Sequence, residues 1–147
     1  MSLTSVIVAA RPEDVWAVLA NPRTYPRWVV GAQRIRGIEG DWPTPGSRFF
    51  HAVGFGPFRT KDWTRSLEEV TGRRLVMHAR MWPFGSARVE VELEEVEHGT
   101  RITMAESPVR GPVEVVYNRL LDRLIHLRNV VSLRRLGVLA ARRPRVR

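Results

Sequence analysis

The chain has 147 residues, of which 44% are hydrophobic and 27% charged, as is usual for one folded domain. It contains no cysteine, which excludes disulfides, thiolate metal sites and a cysteine nucleophile. No apolar stretch approaches the roughly 20 residues of a membrane-spanning helix, and residues 1–10 lack the basic start of a signal peptide. We therefore expect one cytoplasmic domain over residues 1–147, with residues 142–147 as a basic tail.

The net charge of +9 is concentrated at the C-terminal end of the chain. From residue 119 onward there are nine arginines and one acid, Asp122, so this end carries eight of the nine net charges. Lys61 is the only lysine, which indicates a general preference for arginine rather than a binding surface. We do not expect nucleic acid as a partner, whereas an acidic protein or a peripheral acidic membrane surface would suit this end.

The chain begins with a strand and two short helices. Residues 3–9 are short and rich in β-branched side chains, which predicts a strand. Pro12 suits the first position of a helix, which we expect to end at Asn21 because a proline follows it. Residues 24–28 predict a second helix of a single turn or a tight bend.

Six strands follow, separated by turns rich in glycine and proline. We predict them over residues 32–39, 47–53, 58–70, 74–81, 87–94 and 100–106. The fifth has the clearest alternation, with apolar residues at every second position: Ala87, Val89, Val91 and Leu93. Six successive strands joined by short turns predict an antiparallel, curved sheet with one apolar face.

Residues 112–141 predict one long helix. Apolar side chains recur there at three- and four-residue steps and form one stripe: Tyr117, Leu120, Leu124, Leu127 and Val131. Only this helix is long enough to cover the apolar face of the sheet. Because the stripe continues onto Arg134 and Arg135, we expect the helix to cover the sheet only to about Leu133. Beyond that point it should project past the sheet or break at Gly137.

Three groups of residues, which together cover nearly the whole chain, match the motifs of one known family. They are residues 6–8 and 11–19 with Asn21, Tyr25 and Trp28; residues 99–104 with Glu106 and Pro108; and Arg128, Asn129, Leu133 and Leu136. In this order they resemble the START-like, or SRPBCC, superfamily of polyketide cyclases/dehydrases and lipid-transport proteins. The resemblance implies an α+β helix-grip fold, in which a curved antiparallel sheet of about seven strands wraps around the C-terminal helix. It also implies a cavity for an apolar ligand between the sheet and that helix.

Strand parity and the helix stripe select the residues expected to line such a cavity. They are Trp63, Met77, Met81, Val89, Val91, Met104, Glu106, Tyr117, Leu120 and Leu124. Three of the chain's polar side chains are also candidates for acid–base catalysis, namely Glu106, Tyr117 and His51. The alternative for Glu106 is a solvated or arginine-paired carboxylate beyond the end of the strand. The alternative for the methionines and for Tyr117 is that they pack in the hydrophobic core and contact no ligand.

Three functions remain open at this point. The chain has no nucleophile elbow, phosphate loop or dinucleotide fingerprint, which favours the binding or transport of a small hydrophobic, lipid- or polyketide-like molecule. The second function is a cofactor-free cyclase or dehydratase that uses Glu106, Tyr117 or His51. The third is an interaction module that docks its basic C-terminal helix on an acidic partner. No two histidines have the spacing of metal ligands, so we expect neither a metal nor a cofactor. We expect the protein to be a monomer or a homodimer.

Overall fold

The computed structural model describes residues 2–55, 58–81, 85–110 and 119–143. Its elements are β1 (Ser2–Val8), α1 (Pro12–Leu19), α2 (Tyr25–Trp28), β2 (Ala32–Glu39), β3 (Arg48–Phe55), β4 (Phe58–Val70), β5 (Arg74–Met81), β6 (Gly85–Val96), β7 (Gly99–Arg110) and α3 (Arg119–Ala141). A single 3-10 turn, Pro22–Thr24, joins α1 to α2. The predicted order of one strand, two short helices, six strands and a long helix is confirmed.

The seven strands form one antiparallel sheet in the order β1-β7-β6-β5-β4-β3-β2. Strands β2 to β7 are a meander, and β1 returns to pair with β7 at one edge. The predicted α+β helix-grip fold, a curved antiparallel sheet around the C-terminal helix, is therefore confirmed. Strand β4 contains a register shift between Ser66 and Glu68, so Leu67 is an extra residue in its pairing with β5.

Helix α2 is held against the end of α1 by side-chain hydrogen bonds. The Thr24 hydroxyl donates to the carbonyl of Val18 at 2.8 Å, and the Tyr25 hydroxyl donates to the carbonyl of Leu19 at 2.8 Å. These bonds satisfy carbonyls that the end of a helix leaves unpaired. They also turn Tyr25 and Trp28 toward the inside of the sheet, where both are buried.

The hydrophobic core lies between the inner face of the sheet and the three helices. Its largest fully buried apolar side chains come from every layer: Trp28, Phe49, Leu19, Leu75, Ile102, Leu133 and Leu136. The same core includes alternate residues of β6, as its sequence predicted. The sheet therefore has one apolar face, and the helices cover it.

Helix α3 buries a different stripe from the predicted one. Leu124 and Leu127 are 56% and 61% exposed, whereas Leu133 and Leu136 are fully buried. The buried side consists of Asn129, Ser132, Leu133, Leu136, Gly137 and Ala140. The prediction was wrong because this side contains two polar residues and a glycine, which a pattern of apolar residues does not count.

The end of α3 also differs from expectation. The helix neither breaks at Gly137 nor leaves the fold after Leu133, because it is continuous to Ala141 and Ala140 is 1% exposed. A side chain at position 137 would collide with Val8 of β1, so the glycine lets the helix approach the strand closely. Residues 112–118 of the predicted helix and residues 144–147 of the predicted tail lie outside the described residues. Within the described parts of the chain, no helix has the length and apolar character needed to cross a membrane.

Candidate ligand-binding cavity

A cavity of about 90 Å³ lies between the inner face of the sheet and helices α2 and α3. Its wall is mainly apolar, with contributions from strands β3, β5, β6 and β7: Phe49, Met77, Ala79, Val89 and Met104. Sites for small molecules usually enclose roughly 300–1,000 Å³. The cavity as it stands is therefore smaller than most such sites, although its position and apolar wall are typical of them.

Aromatic rings form the end of the cavity next to α2. The ring of Tyr25 lies 4.8 Å from that of Trp28 and 4.7 Å from that of Phe49, measured between ring centroids. Trp42 packs edge-on against Phe49 from behind and donates its indole N–H to the carbonyl of Leu19 at 3.0 Å. Burial raises the pKa of the Tyr25 hydroxyl above its ordinary value, so this group is neutral at physiological pH. The aromatic wall is therefore rigid and uncharged.

His51 brings a polar group to the cavity from β3. Its Nε2 atom lies 2.9 Å from the hydroxyl of Thr64 on β4, which also lines the cavity. Burial lowers the pKa of His51 to about 4, against the opposing effect of the nearby Asp62 carboxylate. The imidazole is therefore neutral at pH 7. Its Nδ1 atom is buried without a hydrogen-bond partner among the described residues.

Trp28 presents a second buried polar atom without a partner. The residue lines the cavity and is 1% exposed, yet its indole nitrogen makes no hydrogen bond within the described part of the chain. An indole N–H is only a donor, and leaving it unpaired in the interior costs about 1–3 kcal/mol. Trp28 and His51, which both line the cavity, thus each leave a buried polar atom unsatisfied among the described residues.

Glu106 is held on the cavity wall by two residues of α3. Asn129 donates a hydrogen bond of 2.9 Å from its side-chain nitrogen to one carboxylate oxygen of Glu106. A guanidinium nitrogen of Arg128 lies 3.9 Å from the same oxygen, and Arg128 also donates to the carbonyl of Val30 at 3.0 Å. The carboxylate is buried and points inward, as strand parity predicted. The alternative was wrong to place it beyond the end of the strand, since β7 continues to Arg110, although an arginine does lie beside it.

The predicted site residues other than Trp63 are divided by the structure into three groups. Five of them line the cavity: His51, Met77, Val89, Met104 and Glu106. Val91 faces inward and is fully buried, but in the core rather than on the cavity wall, and Leu124 is exposed. Tyr117 lies outside the described residues, and so do the side chains of Met81 and Leu120.

Trp63 faces the opposite side of the sheet from the one predicted. Its neighbour Thr64 lines the cavity, and successive side chains of a strand point to opposite faces. On the outer face its ring lies 5.3 Å from the guanidinium of Arg65 and 5.4 Å from the ring of His78. Trp63 shares this face with Arg65 and Leu67, whereas Asp62, Thr64 and Ser66 are buried, so the apolar residues of β4 do not mark its inner face.

Several cavity residues were not predicted from the sequence. They are Tyr25, Trp28, Val29, Ala32, Phe49, Thr64, Ala79, Arg128, Asn129 and Ser132. Phe49 shares its face with His51, and Ala79 with Met77, so both could have been found by parity. The helical residues Tyr25, Trp28, Asn129 and Ser132 carried no such signal, because their orientation depends on how the helices dock. Among the described residues, no group of three or more histidine, aspartate or glutamate side chains is arranged to hold a metal ion.

A curved antiparallel sheet that encloses a cavity with its C-terminal helix defines a helix-grip domain of the START-like superfamily. The sequence profile of the family described as "Polyketide cyclase / dehydrase and lipid transport" matches residues 3–135. The chain therefore belongs to this family. No curated protein matches it.

Solved structures share this fold at low sequence identity. A protein from Rhodobacter sphaeroides is 22% identical with a TM-score of 0.72, over 93% of this chain and 89% of that one. Ara h 8.0201 is 11% identical with a TM-score of 0.68, over 95% of this chain and 96% of that one. The di-domain ARO/CYC BexL from the BE-7585A biosynthetic pathway is 14% identical with a TM-score of 0.69, over 97% of this chain and 50% of that one. At these identities the similarity shows the fold alone.

Proposed function

We propose that this chain binds a small, mainly apolar molecule in the cavity between the sheet and α3. The observation that carries the proposal is the pair of unpartnered polar atoms, on Trp28 and His51, in an apolar wall. A ligand oxygen that accepts a hydrogen bond from the Trp28 indole N–H would remove the free-energy cost of leaving that group unpaired. The neutral imidazole and the mainly apolar wall favour a mainly apolar ligand with one or two hydrogen-bonding groups. Residues 1–147 would act as one domain around this site.

Two methionines supply the means of adjusting the cavity to its ligand. Met77 and Met104 both line it, and a methionine side chain has three rotatable bonds and no branch. A ligand larger than about 90 Å³ would be admitted by a change in their rotamers. The rigid aromatic end near Tyr25 would stay in place and orient the polar end of the ligand.

The proposal is tested with the uncharged fluorescent probe N-phenyl-1-naphthylamine and with mass spectrometry of an organic extract of the purified protein. Ala79→Phe fills the cavity and should abolish uptake of the probe. Trp28→Phe keeps the ring but removes the N–H, and it should weaken an extracted, oxygen-bearing ligand about fivefold to tenfold. Trp63→Phe is the matched control on the outer face and should leave binding unchanged. Equal uptake by the protein and its Ala79→Phe variant would refute the proposal.

A second function is favoured by the position of Glu106. Its carboxylate lies on the cavity wall, where a bound molecule can reach it, and Asn129 fixes one of its oxygens. In a cyclase or dehydratase, such a group would take a proton from the ligand or return one to it. Glu106→Gln should then abolish turnover of a poly-β-keto thioester but still bind the probe. If the protein turns over no such substrate, the chain is a binding protein without this activity.

A further inference from the structure

Helix α3 has a second apolar face, opposite the one that packs on the sheet. Leu124, Leu127 and Val138 are 56%, 61% and 48% exposed, and Val131 between them is half-buried. At 100° per residue all four project within about 40° of one direction. Large apolar side chains grouped on one exposed face indicate an interaction surface more often than isolated ones do.

The same face is strongly basic. Arg123, Arg134, Arg135 and Arg142 are exposed, and none of them has an ion-pair partner among the described residues. The only acid in the sequence from residue 119 onward is Asp122. The apolar residues dominate the first half of the face and the arginines its second half. The partner must therefore offer an apolar layer and negative charge side by side.

We propose that this outward face of α3, formed by the leucines, valines and arginines just named, docks on an anionic membrane surface. Leu124 and Leu127 enter the boundary between headgroups and acyl chains, and the arginines extend to the lipid phosphates. The helix lies on the bilayer and does not cross it. Attachment combines burial of apolar area with electrostatic attraction, so both halves of the face are needed.

Charge argues against a second copy of the chain as the occupant. A symmetric dimer through this face would set the arginines against those of the other copy if the helices run parallel, or against its leucines if they run antiparallel, and neither arrangement gives them a negative partner. Like charges that meet in an interface oppose association. An anionic bilayer instead neutralises every arginine at once, and its phosphates and acyl chains match the two halves of the face.

Co-sedimentation with vesicles tests the proposal directly. The protein should bind vesicles of equal parts phosphatidylcholine and phosphatidylglycerol at least tenfold more tightly than vesicles of phosphatidylcholine alone. Raising the salt from 0.05 M to 0.5 M should weaken this binding severalfold, because the screening length shortens. Equal binding to the two kinds of vesicle, or none to either, would overturn the proposal.

Paired variants separate the face from the rest of the surface. Leu124→Ser with Leu127→Ser, and separately Arg134→Glu with Arg135→Glu, should each reduce binding at least tenfold. The matched controls are Ile38→Ser with Leu67→Ser and Arg73→Glu with Arg80→Glu, which change exposed residues of the strands and of the turn between β4 and β5. They should bind as the unchanged protein does. If the controls lose as much affinity as the face variants, or sedimentation shows a dimer that the leucine variants dissolve, the proposal fails.

This inference is independent of the ligand-binding proposal. The face variants alter residues that do not line the cavity, so they should take up N-phenyl-1-naphthylamine as the unchanged protein does. Ala79→Phe should conversely bind anionic vesicles normally.

Discussion

Asn129 of α3 donates a 2.9 Å hydrogen bond to the carboxylate of Glu106 on β7, and both side chains are buried. This bond joins the terminal helix to the sheet at the wall of the cavity. A buried carboxylate needs such partners, because an uncompensated charge in the interior is costly. The pair therefore fixes both the position of α3 over β7 and the direction in which Glu106 points.

Removing the donor should reveal the strength of this pair. Asn129→Ala leaves the Glu106 carboxylate without its hydrogen bond, and we expect the free energy of unfolding to fall by about 2–3 kcal/mol in urea titrations. Glu106→Gln keeps an oxygen that accepts from Asn129 and should cost less. In a double-mutant cycle with Glu106→Ala, a coupling energy near zero would contradict a direct interaction.

Gly137 and Val8 are predicted to be strongly coupled. A Cβ atom added at Gly137 would lie 2.6 Å from Cβ of Val8 and closer still to one of its methyl groups. Gly137→Ala should therefore destabilise the protein by about 1–3 kcal/mol through overpacking, although alanine is intrinsically the better helix former. Thermal unfolding measures the change.

The rescue experiment for this position uses the opposite change on the strand. Val8→Gly removes the Cβ and both methyl groups that a side chain at position 137 would meet. With Val8→Gly present, Gly137→Ala should be nearly neutral or stabilising. Purely additive effects of the two substitutions would show that α3 does not approach β1 in this way.

Two leucines of α3 distinguish the observed docking of the helix from the predicted one. Leu133 is fully buried, so Leu133→Ala should cost about 2–5 kcal/mol through lost burial and the cavity left behind. Leu124 is largely exposed, and Leu124→Ala should change stability by less than about 0.5 kcal/mol. Chemical denaturation of both variants decides the matter. The reverse order of effects would mean that the helix turns its other face to the sheet.

The protein should lose stability in mild acid because of His51. Its pKa falls from 6.5 in the unfolded chain to about 4 in the fold, since burial disfavours the charged imidazole. Between these two values the unfolded state binds more protons, so stability rises with pH. The contribution is fully present above pH 6.5 and is lost progressively down to about pH 4, for a total of about 3 kcal/mol.

Urea unfolding at several pH values between 7 and 4 measures this slope. His51→Gln removes the titrating group, so its stability should depend less on pH in the same window. The difference between the two slopes isolates His51 from carboxylates that titrate near pH 4. Identical slopes would contradict a buried, neutral histidine.

The inward residues of the regular strands were predictable from the sequence alone. Met77, Val89 and Met104 all lie where a period of two placed them, because no bulge interrupts β5, β6 and β7 near these positions. Trp63 was misplaced because β4 buries the polar side chains of Asp62, Thr64 and Ser66, so the apolar residues of this strand do not mark its inner face. Side-chain direction in a strand is thus a local property wherever the pairing is regular.

The sequence by itself determined the fold class, the order of the elements and the concentration of charge in the last helix, since period, turn residues and composition are local properties of the chain. Only the tertiary structure decided which side of α3 is buried. The helix carries two candidate faces, and the more apolar of them, with Leu124 and Leu127, faces outward. The buried face prevails because its residues fit their partners on the sheet: Gly137 admits Val8, and the side chain of Asn129 meets Glu106. Such complementarity between residues distant in sequence exists only once both surfaces have formed.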